Sequence, residues 1–161
     1  DTRIIERHYD AMKKWLDFMR ADNPNLIRRN KVFNNYGDWL SIKADTPKDL
    51  LATAYWAYDA ALMAEMARAI GRNDDAVAFD KLFQDVRAAF QKEFVHPDGR
   101  VYPVNGPWKD KTSVDASGTV RVQDRGETQT AYLLALKGKL NPEEIPVRMN
   151  AGTKRLRKGI Q

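Results

Sequence analysis

Apolar residues recur at helical spacing near the start of the chain. Alternating steps of four and three place them on one face of an amphipathic helix: Ile5, Tyr9, Met12, Leu16 and Met19. Pro24 disfavours helical geometry in the residue before it, so this helix should end near Asp22. The pattern predicts an outer or edge helix with one buried side.

The stretch from Thr46 to Gly71 differs, because apolar residues occupy nearly every side of a helix and eight of its residues are alanine. Thr46 is placed to cap this helix, Pro47 suits its first position, and Gly71 can end it in the left-handed conformation. Such a helix is buried almost all round, and its alanines allow neighbouring helices to approach closely. Trp56 is predicted to be a packing residue within it.

A third helix is predicted from Asn73 or Asp74, and its apolar residues again form a single face: Phe79, Phe83, Val86, Phe90 and Phe94. The sequence His96-Pro97-Asp98-Gly99 predicts a turn, which makes His96 a surface residue rather than a catalyst. Residues 100–104 are expected to be extended. Residues 105–126 are expected to form an irregular loop.

A second helix of the buried type is predicted from about Glu127 to Gly138, and a last helix should begin with the capping sequence at Asn141. Buried and exposed helices therefore alternate, and the long loops precede the buried ones. This order predicts an all-α fold built of helical hairpins, with the long loops gathered at one end. The arrangement resembles an (α/α)6 toroid, of which about five of about twelve helices are present.

Charge is distributed unevenly. The net charge is +5, but residues 145–161 hold five basic residues and no acidic one: Arg148, Lys154, Arg155, Arg157 and Lys158. The remainder has equal numbers of basic and acidic residues, so no basic face for nucleic acid is expected. No apolar run is long enough to cross a membrane.

Several kinds of chemistry have no residues to support them. The chain has no cysteine, which excludes disulfides, thiolate metal sites and cysteine nucleophiles, and it has two histidines, so a multi-histidine metal site is not expected. It has no glycine-rich phosphate loop and no Gly-X-Ser-X-Gly motif. We therefore expect no metal and no cofactor.

The first residue is Asp1, and no signal-type apolar segment follows it. We therefore expect a piece of a longer protein. The compartment stays open between the bacterial cytoplasm and a secreted or periplasmic location.

Four segments, in their order and spacing, resemble bacterial α-L-rhamnosidases of glycoside hydrolase family 78. They are Tyr36-Gly37-Asp38-Trp39-Leu40, the run from Thr46 to Tyr55, Gly126-Glu127-Thr128-Gln129-Thr130-Ala131-Tyr132, and Leu140-Asn141-Pro142-Glu143-Glu144. The resemblance implies an (α/α)6 catalytic barrel and inverting hydrolysis of terminal α-L-rhamnosides. It implies a domain fragment over residues 1–144, followed by a basic helix or tail over 145–161.

The family's two catalytic motifs are missing from this stretch. The acid motif lies upstream of the Gly-Asp-Trp segment in the family, and the base motif lies downstream, beyond Gln161. Asp38 is more typical of a turn, and Glu127 sits at a helix start, where the dipole would lower its pKa and make it a poor acid. We therefore name no catalytic residue and expect the chain alone to be inactive.

The candidate substrate-binding residues are Asp38, Trp39, Gln129 and Thr130. The indole of Trp39 could cover the C–H face of a sugar ring, or it could plug the end of the barrel. Gln129 and Thr130 could point into the same cleft or bond to the start of their own helix. The resemblance implies a rhamnose-containing glycoside as ligand.

A fragment of a barrel exposes the apolar faces of its buried helices. These faces should contact the remainder of the barrel or drive self-association. The alternative function is a non-enzymatic α-helical module that binds protein partners through the same faces.

Overall fold

A computed structural model describes residues 1–29, 37, 46–104, 112–114, 120–122 and 128–140. Its elements, in chain order, are α1 (Thr2–Asp22), α2 (Lys48–Ala69), α3 (Asn73–Phe94), β1 (Thr112–Val114), β2 (Val120–Val122) and α4 (Gln129–Lys137). The described part of the chain is mostly helical, which confirms the predicted fold class. The helix predicted after Asn141 and the basic tail lie outside these residues.

Helix α1 is amphipathic, as its spacing predicts. Tyr9, Leu16 and Met19 are buried, and the helix ends two residues before Pro24. Ile4, Trp15 and Phe18 on other sides of the helix are exposed. The observed helix therefore has one side in the core and another with large apolar groups at the surface.

Helices α2 and α3 form the central hairpin. Gly71 adopts φ 77° between them, a conformation that costs a residue with a Cβ more than it costs glycine. Trp56 of α2 is buried, which confirms its predicted packing role, and Phe90 and Phe94 of α3 are also in the core. The small side chains Ala57, Ala60, Ala64 and Ala67 are fully buried, as a close helix pair requires.

Polar contacts fix the directions of the helices. Tyr9 and Lys13 in the first half of α1 contact Asp75 at the start of α3, whereas the backbone N–H of Arg28, just after α1, donates to Thr53 in the second turn of α2. Helix α1 therefore runs antiparallel to α2. The connections 23–47 and 95–128 consequently reach the same end of the helices.

The cap predicted for α2 is wrong. No side chain caps the start of this helix, and Pro47 occupies the capping position. The hydroxyl of Thr46 is instead within hydrogen-bonding distance of the Thr128 hydroxyl, 2.6 Å away. This contact joins two residues that are 82 positions apart in the chain.

The irregular loop predicted over 105–126 contains a short antiparallel ribbon. Strands β1 and β2 pair with Thr112 opposite Val122 and Val114 opposite Val120. These four positions are β-branched, a side-chain type that favours extended backbone, so the prediction missed a strand signal of three residues. The turn after α3 and the extended segment beyond it are confirmed, with Val95 bridged to Val101.

Candidate functional site

The starts of α2 and α4 are joined by a buried pair of hydroxyl groups. Thr46 and Thr128 are 4% and 5% exposed, and their Oγ1 atoms are 2.6 Å apart. The backbone N–H of Ala131 also donates to Thr128 Oγ1, at 3.2 Å, so this threonine caps α4 as well. One short contact therefore places the N-termini of the two helices side by side.

Gly37 lies at the same end. A Cβ built on this glycine would be 3.3 Å from Cε of Lys48, the first residue of α2. Gly37 immediately precedes Asp38 in the sequence, within the Gly-Asp-Trp segment. Gly37 itself therefore lies close to the Lys48 side chain at the start of α2.

Two consecutive arginines form ion pairs at this end. The guanidinium of Arg28 contacts Asp22 at 2.7 Å. Arg29 lies between two carboxylates, with its Nη1 atom 3.4 Å from Asp49 of α2 and 3.1 Å from Glu93 of α3. These ion pairs connect the end of α1 with the start of α2 and the last turn of α3.

The structure describes the four predicted substrate-binding residues to different extents. Asp38 and Trp39 lie outside the described residues. Gln129 is the first residue of α4, and only its backbone is described. Thr130 is half-buried in the first turn of α4, two residues after the hydroxyl pair. Their roles in sugar binding stay predictions.

A separate feature lies along the length of α1 and α2. An open groove of about 530 Å³ runs between the two helices, and its lining is mainly apolar: Ala11, Met12, Trp15, Leu16, Leu62, Met63 and Met66 with His8 and Asp59. Trp15 is 51% exposed and stacks on Phe18, which is 52% exposed, with ring centroids 5.7 Å apart. These two exposed rings form an apolar surface on α1 that the described part of the chain does not cover.

Among the described residues that line this groove, Asp59 is the acidic one. Burial raises the pKa of its carboxyl above the ordinary value. Within the described ranges, no hydrogen bond or ion pair reaches the carboxylate. A half-buried acid without a donor indicates that the groove has room for a donor from elsewhere.

The far end of the helices holds a charged cluster around Asp75. Tyr9 donates its hydroxyl to Asp75 at 2.9 Å, Lys13 forms an ion pair with the same carboxylate, and the Arg72 guanidinium lies 4.4 Å from the centre of the Tyr9 ring. The hydrogen bond from Lys13, followed by that from Tyr9, lowers the pKa of Asp75. Burial, together with the Asp75 carboxylate, raises the pKa of Tyr9 to about 12. This cluster locks α1 to the α2–α3 hairpin.

Neither a metal centre nor a membrane helix is found in the described ranges. They contain no group of three or more His, Cys, Asp or Glu side chains that could hold a metal ion. None of their helices is both long enough and apolar enough to cross a bilayer.

Two features escaped the sequence analysis. The threonine pair joins residues far apart in the chain, and each threonine alone has a sufficient local explanation as a helix cap. The groove depends on how α1 lies against α2. Trp15 beside the apolar stripe of α1 and Asp59 among the apolar residues of α2 were the available signals, and neither specifies a partner.

The complete chain, residues 1–161, matches the model of the bacterial alpha-L-rhamnosidase 6 hairpin glycosidase domain. An alpha-L-rhamnosidase of Streptomyces avermitilis is 32% identical over 145 residues, which are 90% of this chain and 11% of the relative. An alpha-L-rhamnosidase of Formosa agariphila is 32% identical over 151 residues, covering 89% of this chain and 14% of the relative.

The structure is similar to that of the alpha-L-rhamnosidase from Dictyoglumus thermophilum. The TM-score is 0.64 and the identity 25%, with 89% of this chain and 14% of that chain covered. The chain thus spans between a ninth and a seventh of the length of these relatives. The sequence and structural comparisons agree, and the chain belongs to the family of bacterial α-L-rhamnosidase six-hairpin glycosidase domains.

Proposed function

We propose that this chain supplies part of the sugar-binding end of an α-L-rhamnosidase-like glycosidase. The observation that carries the proposal is the pairing of Thr46 with Thr128, which holds the N-termini of α2 and α4 together. Segments that enter these two helices carry the candidate residues Asp38, Trp39, Gln129 and Thr130. A sugar could then contact both segments at once.

Trp39 is proposed to cover one C–H face of the rhamnose ring, with its indole N–H available to a hydroxyl group. Asp38, Gln129 and Thr130 are proposed to bind sugar hydroxyls. Their side chains combine acceptors with donors, which matches the hydrogen-bonding capacity of a sugar hydroxyl. The closeness of Gly37 to Lys48 supports this proposal, because Gly37 immediately precedes Asp38 in the chain.

The reaction proposed for the whole enzyme is inverting hydrolysis of a terminal α-L-rhamnoside. Inversion needs an acid and a base about 6.5–9.5 Å apart, with water between the base and the sugar. The motifs that carry these two groups in the family are missing from residues 1–161. We therefore propose that the fragment contributes binding and that the carboxyl pair comes from other parts of the barrel.

The fragment alone should not hydrolyse an aryl α-L-rhamnoside above background. Turnover by purified 1–161 that disappears in Asp38→Asn or Glu127→Gln would contradict this and would make the altered residue a catalyst.

The binding role is tested with Trp39→Ala in the full-length protein. Loss of a stacking surface should weaken rhamnose binding and raise KM, and kcat should also fall if the contact tightens in the transition state. The melting temperature should change little. Rhamnose titration and thermal unfolding of the same sample measure both effects.

Trp56→Phe is the matched control, because Trp56 is buried in α2. It should lower the melting temperature and leave rhamnose affinity unchanged in the folded protein. If Trp39 plugs the barrel instead, Trp39→Ala should cost roughly 3–5 kcal/mol of stability without changing affinity, and the sugar contact would be wrong.

The groove between α1 and α2 bears on the alternative function, a protein-interaction module. We propose that a helix from another hairpin of the same six-hairpin domain fills it. The family description names six hairpins, and the described helices of this chain account for two. The unpartnered Asp59 favours a helix that brings an apolar face and one donor side chain. A second copy of the chain would instead give a dimer in which the same groove is occupied in both subunits.

A further inference from the structure

Two helical faces form the walls of the groove between α1 and α2. Helix α1 contributes five residues in alternating steps of three and one: His8, Ala11, Met12, Trp15 and Leu16. Helix α2 contributes four residues in the same steps: Asp59, Leu62, Met63 and Met66. Residues at these steps share one face of a helix, so each wall is a continuous ridge of side chains. Because a helix rises about 1.5 Å per residue, the two ridges run for about 10–12 Å, or about two helical turns.

A third helix matches the shape of this groove. Helices pack by placing the side-chain ridge of one helix into the groove beside the ridge of another. Three of the wall residues are methionines, whose unbranched side chains adapt to the surface of a partner: Met12, Met63 and Met66. Trp15 adds a large apolar group that is half exposed while the groove is open. A docked helix would remove this apolar surface from water.

Contacts near both ends of α1 hold the two walls in place. At the turn end, Tyr9 and Lys13 both bind the carboxylate of Asp75. At the loop end, the N–H of Arg28, just after α1, donates to Thr53 of α2 at 3.0 Å. A docking surface that is already ordered loses less conformational entropy when a partner binds.

Asp59 makes the two ends of the groove different. Helix α2 runs from the loop end to the turn end, and Asp59 is the first of its four wall residues, so it lies nearest the loop end. His8, the other titratable wall residue, is the one nearest the turn end on α1. No donor from the described residues reaches the half-buried carboxylate of Asp59. Lysine or arginine offsets the lost hydration best, because hydrogen bonds between opposite charges are about twice as strong as neutral ones.

We propose that the groove is the docking site for about two turns of one helix from another hairpin of the domain, and that this helix carries a lysine or arginine paired with Asp59. The partner helix presents an apolar face to the centre of the groove and its cation to the loop end. This inference rests on the proposed function, because it names the chemistry of the helix that is proposed there to fill the groove.

The test uses the complete 161-residue chain and a labelled synthetic peptide of about 15 residues, a length at which alanine-rich helices begin to form in water. The peptide is mainly alanine, with leucines at helical spacing on one face and one lysine a turn beyond them. A matched peptide has glutamate in place of the lysine. By fluorescence anisotropy, we expect the lysine peptide to bind at least about tenfold more tightly than the glutamate peptide.

Asp59→Asn should abolish most of this difference, because the charge that distinguishes the two peptides is then absent. Equal binding of both peptides by the wild-type chain would overturn the ion pair. A difference that persists in Asp59→Asn would also overturn it, since the charge that the peptides sense would then lie elsewhere.

Trp15→Ala should weaken the binding of both peptides by a similar factor, because it removes part of the apolar wall. The matched control is Val77→Ala, since Val77 is an exposed apolar residue of α3 outside the groove. This control should leave both affinities unchanged. Equal losses in Trp15→Ala and Val77→Ala, or no binding of either peptide, would overturn the groove as the docking site.

The full-length protein tests the proposed occupant. It should not bind the lysine peptide, because its own helix fills the groove. Binding as tight as that of the 161-residue chain would overturn this occupant, and a dimer of the 161-residue chain that excludes the peptide would assign the groove to a second copy instead. Rhamnoside hydrolysis is measured on the same full-length sample. A failed peptide test beside an active enzyme overturns this inference alone, whereas an enzyme that neither binds nor hydrolyses rhamnoside refutes the proposed sugar site and leaves the peptide results unchanged.

Discussion

The two ends of the helices are held together in different ways. At the turn end, α2 and α3 are joined by residues 70–72, and Arg72 closes the turn by donating its N–H to the carbonyl of Ala67 at 2.8 Å. Charged groups around Asp75 then attach α1. At the loop end, Arg29 forms ion pairs with Asp49 of α2 and Glu93 of α3, and a neutral hydroxyl pair joins the starts of α2 and α4.

The difference separates stability from function along one set of helices. A short turn fixed by backbone geometry and ion pairs allows little variation, so it can anchor the hairpin. Long connections can change in sequence while the helices below them stay in place, and binding residues are commonly found on such segments. Substitutions in the turn and around Asp75 should therefore change stability, whereas substitutions of the candidate sugar contacts that follow the long connections should mainly change sugar binding.

The largest effect is expected for Tyr9→Ala at the turn end. Tyr9 is fully buried, so truncation removes a packed ring together with the hydrogen bond to Asp75. The free energy of unfolding should fall by roughly 3–5 kcal/mol. Tyr9→Phe keeps the ring and should cost about 1.5 kcal/mol, since the lost hydrogen bond was made to a charged acceptor. Denaturant titration of both variants measures these values.

The comparison between ends also requires that Tyr9→Phe leave rhamnoside KM unchanged. A rise in rhamnoside KM in Tyr9→Phe would show that the turn end influences the sugar site. The separation of roles between the two ends would then be wrong.

Glycine offers a second contrast, with a smaller effect. Gly71 at the turn end has φ 77° and open space where a Cβ would stand, so Gly71→Ala should cost about 1–2 kcal/mol from backbone strain alone. Gly37 at the loop end has no such φ, and among the described residues a Cβ there would meet the flexible Lys48 side chain. Gly37→Ala should therefore change thermal stability less than Gly71→Ala does. The reverse order would contradict this account of the turn.

The turn end could be predicted from the sequence because its signals are local. Gly71 and the apolar face of α3 each lie within a few residues of the structure that they determine. The loop end could not be predicted in the same way. Thr46 has every local feature of a helix cap, and only the approach of Thr128 in three dimensions gives its hydroxyl another partner.

The candidate site residues and the groove also differ in how far the sequence could predict them. The resemblance to rhamnosidases directed attention to Trp39 and Gln129 through motifs, and those roles stay predictions. The α1–α2 groove has no motif, because it is formed by side chains from two helices whose relative position no short pattern specifies. Asp59 within the mainly apolar helix α2 was visible in the sequence, but the lack of a described donor to its carboxylate became apparent only with the groove.

The smallest expected effect, and the one that best tests the groove, concerns Asp59→Asn. Its effect on stability should have opposite signs in the 161-residue chain and in the full-length protein. In the 161-residue chain the raised pKa means that the folded state holds its proton more tightly than the unfolded state does. Stability is therefore lost as pH rises from about 3.9 through the raised pKa, and Asp59→Asn should remove that loss. At pH 7 the variant should be more stable by less than about 1 kcal/mol, because the carboxyl keeps partial contact with water.

In the full-length protein a donor from the covering helix should reverse the sign of this stability change, so Asp59→Asn should destabilise that protein. Unfolding curves of both proteins at pH 4 and pH 7 measure the difference. Stabilisation by Asp59→Asn in both proteins would mean that no donor reaches Asp59, and the proposed occupant of the groove would be wrong.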